Sequence, residues 1–515
     1  MWQPSWIGGS IAGTVDVGTA VGYGTPAGRW VLLATVLGSG LALLDATVVN
    51  VALPVIGSEL DADVAGLQWI LNGYLLTLAA LILLGGALGD RYGRRRVFVV
   101  GVVWFAGASL LCGLAPNVPV LAAARALQGI GGALLTPGSL AIIQASFHPQ
   151  DRARAVGAWS ALGGIAGAVG PLLGGVLIDV VSWRAIFLLN LPLAALVVAT
   201  ALRHVPETRD PSVAGWRLDV PGAILAALGL AGITYALIEA PQRGWTADVI
   251  LLAAAVGLAG LAGFVVVEKR SSHPMLPLGI FANRQFSSAN AVTFAVYGAL
   301  GATFFLLVMQ LQQVLGYSPL QAGAATLPVT VLMLALSARA GQLAQRIGPR
   351  VPMTVGPLLL AGGLGLMAGI GAGSAYLSGV LPAVVLFGLG LATTVAPLTA
   401  TVLAAADVEH AGVASGVNNA VARAAGLIAV AVVPVAAGLA GEAYQDSEVF
   451  AAGFRTAMVI TAGLAALGAV LGWSTIRNDV AGRPEVQAEH RPWRHCAIDG
   501  PPLRPAPKLR AAPEP

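Results

Sequence analysis

Long apolar runs separated by short polar turns fill residues 30–475 of the chain. A helix of about 20 mostly apolar residues crosses a bilayer, and about fourteen runs have that length: 30–55, 66–88, 97–115, 118–145, 154–178, 184–203, 217–239, 248–268, 287–313, 321–344, 352–372, 377–404, 411–440 and 453–475. In hydrocarbon a helix satisfies its backbone groups within its own segment. The pattern therefore predicts an all-α polytopic membrane protein of about 14 spans. An even number of spans puts both termini on one face.

The most charged turn is G-A-L-G-D-R-Y-G-R-R-R, Gly86 to Arg96, between the second and third runs. Short loops rich in Arg and Lys stay on the cytoplasmic side. Counting loops alternately from this turn, one set carries Arg91, Arg94, Arg95 and Arg96, then Arg152 and Arg154, Arg209 and Arg217, Lys269, Arg270 and Arg284, and Arg346 and Arg350. The other set holds little beyond Arg243 and is acidic near Glu59, Asp61 and Asp63 and near Glu442, Asp446 and Glu448. This asymmetry supports the register and predicts that both termini are cytoplasmic.

An internal repeat accompanies the alternation. Gly341, Leu343, Arg346, Gly348 and Arg350 echo Gly86, Leu88, Arg91, Gly93 and Arg95 at a constant offset of 341 − 86 = 255, with Gln345 in place of Asp90. Repeated halves are the mark of secondary transporters, which bind substrate between the halves and rock about it. The expected division is a flexible cytoplasmic N-tail (1–29), an N-terminal six-helix bundle (30–205), a linker with two extra transmembrane helices (206–285), a C-terminal six-helix bundle (286–475) and a disordered cytoplasmic C-tail (476–515).

Composition agrees with the bilayer as solvent: 57% hydrophobic residues, 10% charged residues and a mean hydropathy of +0.81. The net charge of +4 comes from topology-setting loops and the tail rather than from a patch for nucleic acid. Cys112 and Cys496 have no zinc-like spacing. No Walker loop is present, so ATP is not expected as a partner, and neither an enzyme nor a metal site is expected. The first residues lack a basic n-region and a compact apolar core, so no secretory signal is expected.

Several strings resemble the major facilitator superfamily, in its fourteen-span drug:proton antiporter family. They are L-D-A-T-V-V-N-V-A-L-P (44–54), Q-W-I-L-N-G-Y-L-L (68–76), G-A-L-G-D-R-Y-G-R-R-R, R-A-L-Q-G-I-G-G-A (125–133), G-P-L-L-G-G (170–175), S-W-R-A-I-F-L-L-N-L-P (182–192) and Q-Q-V-L-G-Y-S-P-L-Q-A-G (312–323). The resemblance implies two six-helix bundles with two intervening helices. It implies a multi-pass plasma-membrane exporter, working by antiport of a lipophilic drug or antibiotic against protons and by alternating access. The proton is then the coupling ion and no other cofactor is needed; membrane lipid and a small lipophilic substrate are the partners, and the expected unit is a monomer. The alternative on the same fold is a metabolite exporter or a proton symporter.

Asp45 lies in the middle of the first run, where an ionised carboxylate costs about 2.5 to 3.5 kcal/mol. By itself it reads either as a proton carrier or as a structural hydrogen-bond partner; the resemblance places a coupling acid in this motif. Arg125 lies inside the fourth run, with Gln128, Gly132 and Thr136 on the same face. It reads as a static ion-pair partner or, through the resemblance, as a participant in proton transfer. Gly163, Gly167, Gly170 and Gly174 form one flat helix face that packs on another helix, with Pro171 as a kink. In an exporter this glycine string, with Gly175, is the antiporter signature. Trp69, Tyr74, Gln128, Gln310 and Gln313 are candidate substrate contacts, with interface anchoring as the alternative for the aromatics. Arg339 and Arg423 are basic residues within second-half spans that snorkel or face the cavity; facing it, they disfavour a dicationic substrate. Gly86, Asp90, Arg91, Gly93, Arg94 and Arg95 form the expected cytoplasmic gate: Asp90 can accept from the N-terminus of a second-half helix, and the resemblance implies that this helix is the span starting near Gly412.

Overall fold

The computed structural model describes residues 20–210, 218–406, 411–441 and 446–478. Most of both expected tails, and the loop residues Arg217 and Glu442, lie outside them. The helices are Pro26–Glu59 (α1), Val64–Tyr92 (α2), Arg94–Gly113 (α3), Val118–Ser146 (α4), Pro149–Val180 (α5), Arg184–Leu188 (α6), Asn190–His204 (α7), Val220–Arg243 (α8) and Asp248–Arg270 (α9). They continue as Arg284–Met309 (α10), Pro319–Ala325 (α11), Leu327–Ile347 (α12), Pro352–Met367 (α13), Leu381–Ala404 (α14), Ala411–Ala436 (α15) and Ser447–Thr475 (α16). The β-structure among the described residues is one isolated bridge, Val21 to Phe147.

Short polar side chains at the turns start several of these helices by accepting the otherwise unpaired first amides. Asp63 accepts from Gly66 N at 2.7 Å, Asn117 from Val120 N at 3.0 Å, Asp219 from Gly222 N at 2.9 Å and Asn283 from Gln285 N at 2.9 Å. Ser318 and Gln321 cap each other reciprocally at the head of α11.

Thirteen helices among the described residues are long and apolar enough to cross a membrane, counting α6 with α7 and α11 with α12 as single spans. The run at 352–372 falls short as α13, 16 residues long. Gly369, Gly371 and Gly373 lie in the stretch beyond it, where Gly373 turns the chain at a left-handed φ of +78°.

The first group packs α2 and α3 on α4 and α1 on α5 and α7. The second packs α13 on α14 and α16, α10 on α15 and α16, and α12 on α14. Helices α8 and α9 pair with each other, and α8 leans on α2 and α15. The groups meet along α2 with α15 and α5 with α11.

Several contacts between the groups lie at the end of the molecule opposite the Gly86–Arg96 turn. Gln68 donates to Val430 O at 2.7 Å, Gln312 donates to Val51 O at 2.8 Å, and Asp179 accepts from Ser318 Oγ at 3.1 Å and Leu320 N at 3.3 Å. Beside these bonds, a side chain at Gly175 would run into the backbone of Leu320, and one at Gly323 into the backbone of Pro171.

The repeat is visible in three dimensions. Gly93 ends α2 at φ +116° and Gly348 ends α12 at φ +87°. Two residues further on, Glu207 accepts from Arg95 N at 3.1 Å and Asn478 accepts from Arg350 N at 3.1 Å. Each basic turn is thus tied to the segment that follows the last helix of its own group, α7 in one case and α16 in the other.

Candidate functional site

Five helices bring polar side chains to one buried point in the first group. Asp45 comes from α1, Ser109 and Cys112 from α3, Arg125 and Gln128 from α4, Asn190 from the first residue of α7, and Tyr74 from α2. Asp45 is 2% exposed and Arg125 1%, so both charges are out of water.

The cluster closes on itself. Arg125 Nη1 donates to Asp45 Oδ2 at 2.5 Å and to the Gln128 side-chain oxygen. Its Nε donates to Ile70 O at 3.2 Å. The other carboxylate oxygen, Oδ1, accepts from Gln128 Nε2 at 2.8 Å and from Asn190 Nδ2 at 3.2 Å. Ser109 Oγ accepts from the same two amides at 2.9 and 2.8 Å. The guanidinium lies over the Tyr74 ring, 4.4 Å from its centroid, and 5.9 Å from that of Phe187.

The carboxylate therefore has three donors and a full counter-charge. Burying the pair is costly, and removing one partner alone costs about 3–5 kcal/mol because it strands the other. A proton delivered to Asp45 would have the same local effect: it cancels the charge that holds Arg125 and frees the guanidinium to move. The cluster thus holds one negative and one positive charge out of water, each the partner of the other.

Asn190, Ser109 and Cys112 complete the site without having been singled out in the sequence. Asn190 was visible as a polar residue in the apolar string R-A-I-F-L-L-N-L-P, at the junction where α6 gives way to α7. Ser109 and Cys112 carried no such signal, since small hydroxyls and thiols are common in apolar helices. Cys112 Sγ lies 3.7 Å from the Gln128 side-chain oxygen.

The other expected residues are dispersed. Trp69 Nε1 donates to Glu239 Oε1 of α8 at 2.9 Å, which turns the indole toward the intervening helices. Tyr74 and Gln128 belong to the buried cluster. Gln310 Nε2 donates to Ile370 O at 2.8 Å, and Gln310 and Gln313 each keep a buried side-chain oxygen with no hydrogen-bond partner. Arg339 is exposed, whereas Arg423 is half-buried.

Within the glycine face, Gly170 and Gly174 pack on Thr47 and Val48 of α1 and leave no room for a side chain. Gly163 lies in ordinary contact range of Leu43, and Gly167 faces open space. The face thus rests on the turn of α1 just after Asp45. At the charged turn, Asp90 Oδ1 accepts from Arg94 Nε at 2.8 Å, and Arg95 Nη1 donates to Val205 O at 3.0 Å. Arg91 Cζ stands 5.3 Å from the Tyr92 ring centroid. Gly86 lies in ordinary contact range of Pro137. In this conformation the described residues place Asp90 on Arg94 rather than on the start of α15.

A sequence profile of the Major Facilitator Superfamily matches residues 35–431, which contain this whole cluster. The chain belongs to the Major Facilitator Superfamily. It is 39% identical over 394 residues to the multidrug resistance protein Stp of Mycobacterium tuberculosis, covering 76% of this chain and 72% of that one. The methylenomycin A resistance protein of Streptomyces coelicolor is 38% identical over 390 residues, 75% of this chain and 81% of the other. The tetracenomycin C resistance and export protein of Streptomyces glaucescens is 36% identical over 400 residues, covering 77% and 73%. Among solved structures, a POT family transporter superposes with a TM-score of 0.64 at 14% identity, over 87% of this chain and 96% of the other. A bacterial homologue of the lysosomal transporter Spinster superposes at 0.59 with 19% identity, over 87% and 97%. These structures share the superfamily fold. As a Major Facilitator protein the chain is a multi-pass membrane transporter and not an enzyme.

Proposed function

We propose that this protein exports lipophilic drugs or antibiotics from the cell by proton antiport, as a member of the fourteen-span drug:proton antiporter family. The observation that carries the reading is the buried Asp45–Arg125 pair, a titratable charge held in an otherwise apolar helix group. Relatives named for resistance and export support the choice of cargo.

In this reading Asp45 is the proton carrier and Arg125 its displaceable counter-ion. Protonation of Asp45 releases Arg125, whose movement shifts α4 against α2, and the groups rock between inward-open and outward-open states. The bonds opposite the Gly86–Arg96 turn are the outer closure of an inward-facing state, with the termini and that turn in the cytoplasm. Gly163, Gly167, Gly170, Pro171, Gly174 and Gly175 form the sliding face that reseals the outer side. Gly86, Asp90, Arg91, Gly93, Arg94 and Arg95 form the cytoplasmic gate, and Asp90 exchanges Arg94 for the head of α15 when that gate closes. The two six-helix bundles, 30–205 and 286–475, are the moving bodies, and 206–285 is a peripheral linker. One monomer is the working unit, in lipid, without ATP.

A proton crossing a potential of about 100 mV releases about 2.3 kcal/mol, enough to sustain a gradient of tens-fold per proton. The test is proton flux on adding a lipophilic drug to energised inside-out vesicles. Antiport dissipates the pH gradient, and Asp45→Asn abolishes that response while the protein still inserts. Symport would change the gradient in the opposite sense, and an undiminished response in Asp45→Asn would remove Asp45 from the mechanism.

A further inference from the structure

Helices α8 and α9 pack as an antiparallel hairpin, backbone against backbone. A side chain at Gly232 would run into the backbone of Ala253 and Gly257, and one at Gly260 into that of Gly229 and Leu225. Continuing that register along the hairpin puts Glu268 opposite Pro221, two residues from Asp219 at the head of α8. Glu268 also follows Leu261 by one heptad, and Leu261 packs on Gly229, so the Glu268 side chain leaves α9 on the face turned to α8. The buried positions of α9 among the described residues are Ile250, Gly257, Gly260 and Glu268. An acid thus ends the apolar stripe that faces α8.

Both acids are out of water, Glu268 at 3% exposure and Asp219 at 9%. Each uses one oxygen on a backbone amide. Asp219 Oδ1 accepts from Gly222 N at 2.9 Å, and Glu268 Oε2 accepts from Leu276 N at 3.0 Å, beside the amide of Met275. The other two oxygens, Asp219 Oδ2 and Glu268 Oε1, are buried and have no donor. Yet the two side chains lie within hydrogen-bonding reach of each other. Ionised carboxylates only accept, so a bond between them needs a proton on one.

A cavity of about 480 Å³ opens beside Asp219, lined also by Leu218, Val267, Arg270, Ser271 and His273, and gives the pair a path to water. Lys269 and Arg270 stand in the last turn of α9. On α2 and α15, which pack against α8, the charged groups among the described residues are Asp90, Arg91 and Arg423, with Asp63 as the cap of α2. Asp63 bonds Gln242 at the far end of α8, and Asp90 bonds Arg94. The charge that acts most strongly on Glu268 is that of Asp219.

We propose that Asp219 and Glu268 share one proton between their two unpartnered oxygens, forming a proton site that clasps the end of the α8–α9 hairpin opposite its turn at 244–247. Two like charges in one dry site repel strongly, and a pair of carboxyls relieves this by holding a proton in common. The proton comes from water through the cavity, and the pair keeps a single negative charge. Because Glu268 also holds the Leu276 amide, the clasp fixes the segment that leads on to α10. This site is separate from Asp45 and does not depend on what the protein transports.

The test is infrared difference spectroscopy, native minus variant, on full-length protein in detergent at neutral pH, read at the carbonyl stretch of protonated carboxyls. Signals common to both proteins, including any from Asp45, cancel. Glu268→Gln and Asp219→Asn are each expected to lose the same band, although they remove different carboxyls, because the carboxylate that remains takes its hydrogen bond from the new amide and ionises. A loss confined to one of the two variants marks a solitary protonated acid and overturns the shared proton, as does a band unchanged in both. Should Asp219→Asn fail to fold, Asp219→Ser, which keeps an oxygen to cap α8, takes its place: the band is lost if the proton is shared and survives if Glu268 holds it alone.

Discussion

The Arg125 guanidinium lies over the Tyr74 ring, with Cζ 4.4 Å from the centroid. This stacking ties α4 to α2 at the level of the buried carboxylate, and at 2% exposure Tyr74 is part of the wall of the charged site. A cation on an aromatic face is worth about 0.5–1 kcal/mol when exposed and about 2 kcal/mol when dry. Tyr74→Phe should keep thermal stability in detergent close to native, and Tyr74→Leu should lower it by about 1–2 kcal/mol. Equal losses in the two variants would show that the ring face does not matter.

The ion pair predicts an unusual order of stabilities. Arg125→Gln strands Asp45, and Asp45→Asn strands Arg125, at about 3–5 kcal/mol each if the remaining charge stays ionised and buried. The double variant Asp45→Asn, Arg125→Gln removes both charges and should be more stable than Arg125→Gln alone. A double-mutant cycle in thermal unfolding reads this directly, and strictly additive losses would argue against a coupled pair.

Two glycines of one face should behave oppositely. A methyl at Gly167 meets open space, whereas a methyl at Gly170 collides with Thr47 of α1. Gly167→Ala should change stability by less than about 0.5 kcal/mol, and Gly170→Ala should cost about 1–3 kcal/mol by overpacking. Comparable unfolding temperatures for the two would contradict the packing of α5 on α1.

The two basic turns make a matched prediction. Glu207→Ala and Asn478→Ala each remove the acceptor for a backbone amide, Arg95 N in one and Arg350 N in the other, and should speed amide exchange at their own turn only. A loss of about 1 kcal/mol is expected for each. Glu207 also stands 3.7 Å from both Arg95 Nε and Arg96 Nε, so its removal should respond to salt, whereas that of Asn478 should not.

The spans were legible because the bilayer imposes one rule on every segment: about 20 apolar residues and a backbone satisfied internally. The exception in length is α13, which stops at Met367 with Ala368 as its cap. Asp45 and Arg125 were also legible, because a charge in mid-span has to find an answer. Their mutual pairing was not, as nothing within α1 or α4 states which faces meet. Tyr74 and Gln128 show the same limit: nothing within α2 or α4 alone states that both lie beside the ion pair.

By itself, then, the sequence determined the helices, their approximate ends, the repeated basic turns and the two buried charges, all properties of one segment in its solvent. Only the tertiary structure decided that Asn190 and Ser109 join Asp45, that Trp69 turns to Glu239, and that Glu207 and Asn478 answer each other across the repeat. The reason is geometric: a hydrogen bond between residues 145 apart, as from Asn190 to Asp45, depends on helix rotation and crossing, which packing of whole faces sets.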